Sequence, residues 1–199
     1  MRRVANILTL AALALAACDV EVPVGVAPSE GREFVAVIRE SGAQQVDLLL
    51  VIDDSGTMEE KQQAVKGALT GELFALFDEL PSLHVGVIST NMGGDADPLC
   101  AGAGDDGRLI SEPRVATDCG EVIVNGNFIS DIRLMDGSRL QNYQGELPSA
   151  LGCLVELGTD GCGFEQPFAA ALRATDPGVN PDFLRPGALL AVLFVTDED

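Results

Sequence analysis

The chain has no tryptophan, one tyrosine, one histidine, and 12 lysines and arginines against 31 aspartates and glutamates in 199 residues. Each shortage removes a class of function. At a formal charge of −19, with acids spread along the whole length, the surface repels the phosphates of nucleic acid and anionic lipid. Any acidic partner therefore needs a bridging cation. The single histidine, His84, stands inside an apolar run, where it reads as an ordinary core or edge residue, and no Ser-His-Asp set is assembled from it. There is no CxxC pair, which places zinc thiolates behind disulfides. What the chain does have is aliphatic: 47% of residues are hydrophobic but only 5% aromatic, enough for the core of one main domain with appendages. No internal repeat is present.

The first residues, MRRVANILTLAALALAAC, set two arginines before an apolar run from Val4 to Ala17. That run is too short to span a membrane as a mature helix and reads as an export signal. Its end, Leu15-Ala16-Ala17-Cys18, resembles the bacterial lipobox, which implies cleavage before Cys18 and lipidation of its thiol. A plain secretory peptide cut near the same place is the alternative. Removal of residues 1–17 takes away Arg2 and Arg3 and no acid, so −19 less two positive charges leaves −21. The segment DVEVPVGVAPSEGRE then mixes Pro, Gly and acids without period, as a tether does. The span 18–45 thus reads as a lipidated tether with a peripheral strand in FVAVIRESGAQQ, anchored to the membrane of a bacterial cell envelope.

Cys100, Cys119, Cys153 and Cys162 remain. An even number in an exported chain favours two disulfides among three pairings, and sequence proximity suggests Cys100 with Cys119 and Cys153 with Cys162.

From Val46 onward the pattern is that of an α/β fold. Three apolar runs without alternation, Val46 to Ile52, Leu83 to Ile88 and Leu189 to Val195, suit strands of a parallel central sheet flanked by helices on both faces, in a Rossmann-like arrangement. Between the first two, Val65, Ala68, Leu69, Leu73, Leu76, Phe77 and Leu80 recur at helical spacing until Pro81 stops the helix. The result is a right-handed strand-helix-strand crossover. Residues 93–144 are rich in Gly and Asp and read as an insertion, with a hairpin layer and a cysteine-pinned loop. Two more helices are expected near GELPSALGCLVELG and FEQPFAAALRAT.

The stretch LLLVIDDSGTM carries the chemistry. Asp53 stands directly after the first apolar strand, and Asp197 follows the end of the last. Parallel strands deliver their carboxyl ends to one edge of the sheet. If the two strands are neighbours, about 4.8 Å apart, both acids enter one crevice. Two carboxylates at contact distance repel, and a hard cation between them removes that cost. Ser55 and Thr57 add neutral oxygens at alternate positions of the turn. An all-oxygen set suits Mg²⁺, Mn²⁺ or Ca²⁺.

These residues resemble the DxSxS/T signature of von Willebrand factor type A domains, the metal-ion-dependent adhesion site, and LFVTDED resembles the strand that brings that site its distant aspartate. The resemblance covers residues 46–199. It implies that Ser55 and Thr57 bind the metal by their hydroxyls, with Asp53 and Asp197 holding it directly or through water, while Gly56 permits the turn and Met58 begins the first helix. Mg²⁺ is the first expectation. The family's further threonine has no counterpart before the third helix, where GTDGCGFEQPFAAAL offers Glu165 or Gln166, with Thr159 further off. The resemblance also implies strands and helices beyond Asp199, so that the last strand's flank is unpaired and the isolated chain is prone to associate. The implied function is metal-dependent binding of a protein partner, or adhesion, through an acidic group, without catalysis.

Rival readings attach to the same residues. Asp54 or Ser55 can cap a helix, with Glu59 and Glu60 favouring its positive end, which would make the protein a metal-independent envelope scaffold. Asp54-Ser55-Gly56-Thr57 mimics the catalytic turn of aspartic proteases, but those need a second such turn on an all-β scaffold. A phosphatase of the haloacid-dehalogenase type wants an aspartate where Ser55 stands. The loop GDADPLCAGAGDDG misses EF-hand spacing, with Leu99 at the third ligand position.

Overall fold

The computed structural model describes residues 44–74, 79–94, 100, 102–115, 119–120 and 122–197, all within the unit Glu40–Asp199. The side chains of 72 and 73 are not among those described. The signal segment, Cys18, the tether and most of the expected peripheral strand lie outside these residues. Among the described residues no helix is long and apolar enough to cross a membrane.

Among the described residues of the unit there are five strands and three α-helices: β1 (Gln45–Ile52), α1 (Glu59–Ala68), β2 (Ser82–Ser89), β3 (Ile129–Arg133), β4 (Arg139–Gln141), α2 (Leu147–Leu154), α3 (Pro167–Ala174) and β5 (Leu189–Val195). The sheet order is β4-β3-β2-β1-β5. β1 is an interior strand, parallel to β2 on one side and to the edge strand β5 on the other. The expected neighbourhood of the first and last apolar runs is thus present. The sheet is not wholly parallel, however. β3 runs antiparallel to β2 and β4 antiparallel to β3, because the 93–144 insertion folds a hairpin onto the sheet's flank. A hairpin can join its strands by a short turn, whereas a parallel pair needs a long crossover.

The apolar run of β1 explains its interior place in the sheet. Leu49, Leu50, Val51 and Ile52 are fully buried, and successive side chains leave opposite faces. Leu50 and Ile52 enter a core with Leu83, Val85, Val87, Leu151 and Leu154. Leu49 and Val51 enter a second with Ile88, Ala170, Ala174 and Phe183. α2 therefore covers one face and α3 the other. Each such side chain stabilises the fold by about 1.5–3 kcal/mol. β5 departs from this plan: Leu189, Leu190, Val192 and Leu193 are exposed, so its apolar run is not covered on both faces as the sequence implies.

The helix expected as far as Pro81 is not one regular α-helix. α1 ends at Ala68 and widens into a π-helical turn over Leu69–Leu73. The Thr70 hydroxyl donates to the carbonyls of Lys66 and Gly67, a back-bond that disturbs helical geometry. Leu69 is buried as the periodicity predicts, but Ala68 is exposed and Gln62 takes an interior position. Leu76 and Phe77 lie outside the described residues.

The disulfides correct the pairing inferred from proximity. Cys100 joins Cys162, and Cys119 joins Cys153. Cys119 and Cys153 pack against the same core cluster as α2. Chain distance misleads here because the insertion folds back over α2 and over the loop before α3.

Candidate metal centre

The site grows from the end of β1. Thr90 N–H donates to the Ile52 carbonyl at 3.2 Å and Asp53 N–H to the Val195 carbonyl at 2.9 Å, which locks the exit of β1 between β2 and β5. Asp53 is fully buried. Its Oδ1 accepts the backbone N–H of Ser55 at 2.8 Å and its Oδ2 the Thr196 hydroxyl at 3.0 Å.

Gln62 on α1 holds the main chain below. Its Nε2 donates to the carbonyls of Asp53 (2.8 Å) and Gly158 (2.9 Å), and its Oε1 accepts the N–H groups of Leu157 and Gly158. One buried amide thus ties α1, the β1 exit and the 157–158 loop together, with its polar atoms partnered as burial demands.

Thr57 and Asp197 meet above. Thr57 Oγ1 donates to Asp197 Oδ2 at 2.8 Å. Lys61 Nζ, one turn into α1, donates to the same Oδ2 at 2.8 Å and to the Thr57 carbonyl at 3.1 Å. These bonds, that from Lys61 first and that from Thr57 next, hold the Asp197 carboxyl below the usual aspartate range. Four of the residues named from the sequence, Asp53, Ser55, Thr57 and Asp197, therefore gather at one edge.

Asp54 turns elsewhere. It is 3% exposed, and its Oδ1 has no hydrogen-bond partner. Its Oδ2 lies 3.5 Å from Arg114, whose guanidinium also pairs with Asp105 at 2.8 Å. Burial pushes the Asp54 pKa up to about 6, the Asp105 charge adds to that, and Arg114 opposes it. The Gly161 N–H donates to the Asp54 carbonyl at 2.8 Å. A Cβ at Gly161 would come within 2.3 Å of the Asp54 carboxyl, so only glycine lets this loop close over it. The adjacent acids Asp53 and Asp54 thus face different surroundings. Beside Asp105 and Arg114 the surface opens into a groove of about 370 Å³ that includes Arg108 and Glu112.

The helix-start explanation is not met by the geometry. The N-cap of α1 is Met58, with no side-chain capping bond; neither Asp54 nor Ser55 serves that purpose. In the loop before α3, Glu165 and Gln166 are half-buried, and the Gln166 N–H donates to the Thr90 carbonyl at 3.1 Å. Glu165 is thereby held beside the β2 exit, while Thr159 sits half-buried in the loop fastened by Gln62 and Asp54.

Two features bear on whether these residues suit a hard cation. A cationic group, the Lys61 ammonium, already rests on Asp197 and the Thr57 carbonyl. A second hydroxyl, Thr90 Oγ1, is fully buried without a partner at the same edge. Among the described residues no three His, Cys, Asp or Glu side chains gather around one point, so a cation here would draw on hydroxyl and water oxygens beside its carboxylates.

Sequence reasoning passed over Lys61, Gln62, Thr90 and Thr196. Thr196 follows an apolar run directly, the same signal that singled out Asp53, and Thr90 follows β2 one residue beyond its apolar run. Gln62 was hidden by the rule that glutamine faces water. Comparison with protein-family models, curated proteins and solved structures found no match to this chain.

Proposed function

We propose that this chain is an exported, lipid-anchored binding protein of the bacterial cell envelope, with a fold of the von Willebrand factor type A kind and attached to a membrane through Cys18. Its strand-end residues hold one divalent cation, Mg²⁺ first and Mn²⁺ or Ca²⁺ as alternatives, and present it to a protein partner. The observation that carries this reading is the meeting of Thr57 with Asp197 and of Asp53 with Thr196 across β1 and β5. Asp53, Ser55, Thr57 and Asp197 are the proposed ligands, with Glu165 as a further candidate. The bound cation supplies positive charge to which a partner's carboxylate can coordinate, which reconciles an acidic surface with an acidic ligand. The protein's own residues bind and orient; no bond is broken.

Their roles follow from position. Asp53, buried and oriented by Ser55 N–H and the Thr196 hydroxyl, offers a carboxyl group fixed in place. Thr57 and Asp197 approach from the turn and from β5, so the site is whole only when β5 is docked. Lys61 balances Asp197 in the absence of metal and gives way to it.

That same ion pair favours a second reading. With Lys61 on Asp197 the edge is charge-compensated without metal, as suits an envelope scaffold. Thermal unfolding in chelator and in millimolar Mg²⁺ or Mn²⁺ separates the two. Ligand binding to the native state raises the melting temperature, so a rise in the wild type that is absent in Asp197→Asn is expected. Equal melting temperatures in chelator and in metal favour the scaffold.

A further inference from the structure

Three strands end level with one another. β1 and β2 pair Ile52 with Ser89, β1 and β5 pair Ile52 with Val195, and the hydrogen bonds from Thr90 N–H and Asp53 N–H carry both registers one residue further. Thr90, Asp53 and Thr196 thus form a row across the carboxyl edge. Two residues earlier in the same registers, Ile88, Val51 and Phe194 all belong to the core beneath α3. Side chains repeat their face every second residue, so the row projects to that face as well.

Within the row the hydroxyls differ. That of Thr196 donates to Asp53 Oδ2. That of Thr90 is fully buried and has no partner, although its carbonyl is engaged by Gln166. A buried hydroxyl without a partner is costly, and valine would fill the same shape in a strand end without that cost. An unmatched oxygen in register with a buried carboxylate suits the oxygen shell of a hard cation.

We propose that Thr90 supplies a further oxygen to the cation's shell, from β2, so that three neighbouring strands contribute to one centre. This rests on the cation reading above and extends it to a residue outside the DxSxT turn and the distant aspartate. Thr90 then acts through its hydroxyl alone: it adds affinity without adding charge to a site already rich in carboxylate.

The test compares wild type, Thr90→Val and Thr90→Ser as full chains in detergent, by calorimetric titration with MgCl₂ and MnCl₂ and by melting in EDTA. The expected result is that Thr90→Val binds about 10- to 100-fold more weakly, that Thr90→Ser stays within a few-fold of wild type, and that Thr90→Val melts no lower than wild type in EDTA. Undiminished binding in Thr90→Val overturns the proposal and leaves the cation reading standing. A lower melting temperature of Thr90→Val in EDTA also overturns it, since the hydroxyl would then serve the metal-free fold. Absence of saturable binding in a folded wild type overturns the cation reading, and the role of Thr90 with it.

Discussion

Thr57 Oγ1 donates to Asp197 Oδ2 over 2.8 Å across 140 positions of sequence. Nothing local brings them together. The contact exists because β5 docks in parallel beside β1, so both chain exits reach the same edge. Loosening of β5 would therefore open the centre before it disturbed the β1–β2 pair, and the centre's integrity reports on that docking.

Lys61 donates to one oxygen of Asp197, the oxygen for which the proposed divalent cation would compete. The ammonium is 44% exposed, where ion pairs are weak, so its removal is expected to tighten Mg²⁺ binding by no more than about fivefold at low ionic strength. Titration of Lys61→Met against wild type checks this. Weaker binding in the variant would mean that Lys61 supports the cation instead of yielding to it.

Gln62 is the structural support beneath the site. Gln62→Leu leaves the N–H groups of Leu157 and Gly158 and the carbonyls of Asp53 and Gly158 without their partner. A loss of about 2–4 kcal/mol in urea unfolding is expected. A loss below about 0.5 kcal/mol would show that water replaces the amide at no cost.

His84 sets a pH dependence. Burial lowers its pKa below 6.5, the Arg185 charge adds to that, and the bond to the Phe183 carbonyl and the Asp47 charge oppose it. The unfolded chain then takes up this proton first, so stability is expected to fall as pH drops below 6.5. Urea unfolding at pH 5 and pH 7.5 should show a smaller difference for His84→Gln than for wild type. Equal differences would remove His84 as a source.

Peptide mapping without reduction is expected to find Cys100 linked to Cys162 and Cys119 to Cys153. The closed loops span 62 and 34 residues, for which the chain-entropy estimate is about 4 kcal/mol each. Fragments linking Cys100 to Cys119 would contradict the arrangement of the insertion.

Much of the site could be read from strand ends. The apolar runs gave β1, β2 and β5 because buried strands need continuous hydrophobicity, and their parallel pairing placed Asp53 and Asp197 together. The hairpin β3–β4 was only foreseen as a layer, since short polar strands such as Arg139–Gln141 carry little hydrophobic signal. The disulfides were misread because cysteine pairing follows the folded path and not the spacing. The exposure of β5 was missed because an apolar run says what a strand prefers, not what covers it. Gln62 and Thr90 escaped because their significance lies in which partners they have, or lack, at distances no local pattern encodes.

The central claim is that one cation binds where Asp53, Ser55, Thr57 and Asp197 gather. The most direct measurement is calorimetric titration of Mg²⁺, Mn²⁺ and Ca²⁺ into the full chain, with Ser55→Ala alongside. Saturable binding at one site, lost in Ser55→Ala, is the expected result; no binding by a wild-type sample shown to be folded would contradict it.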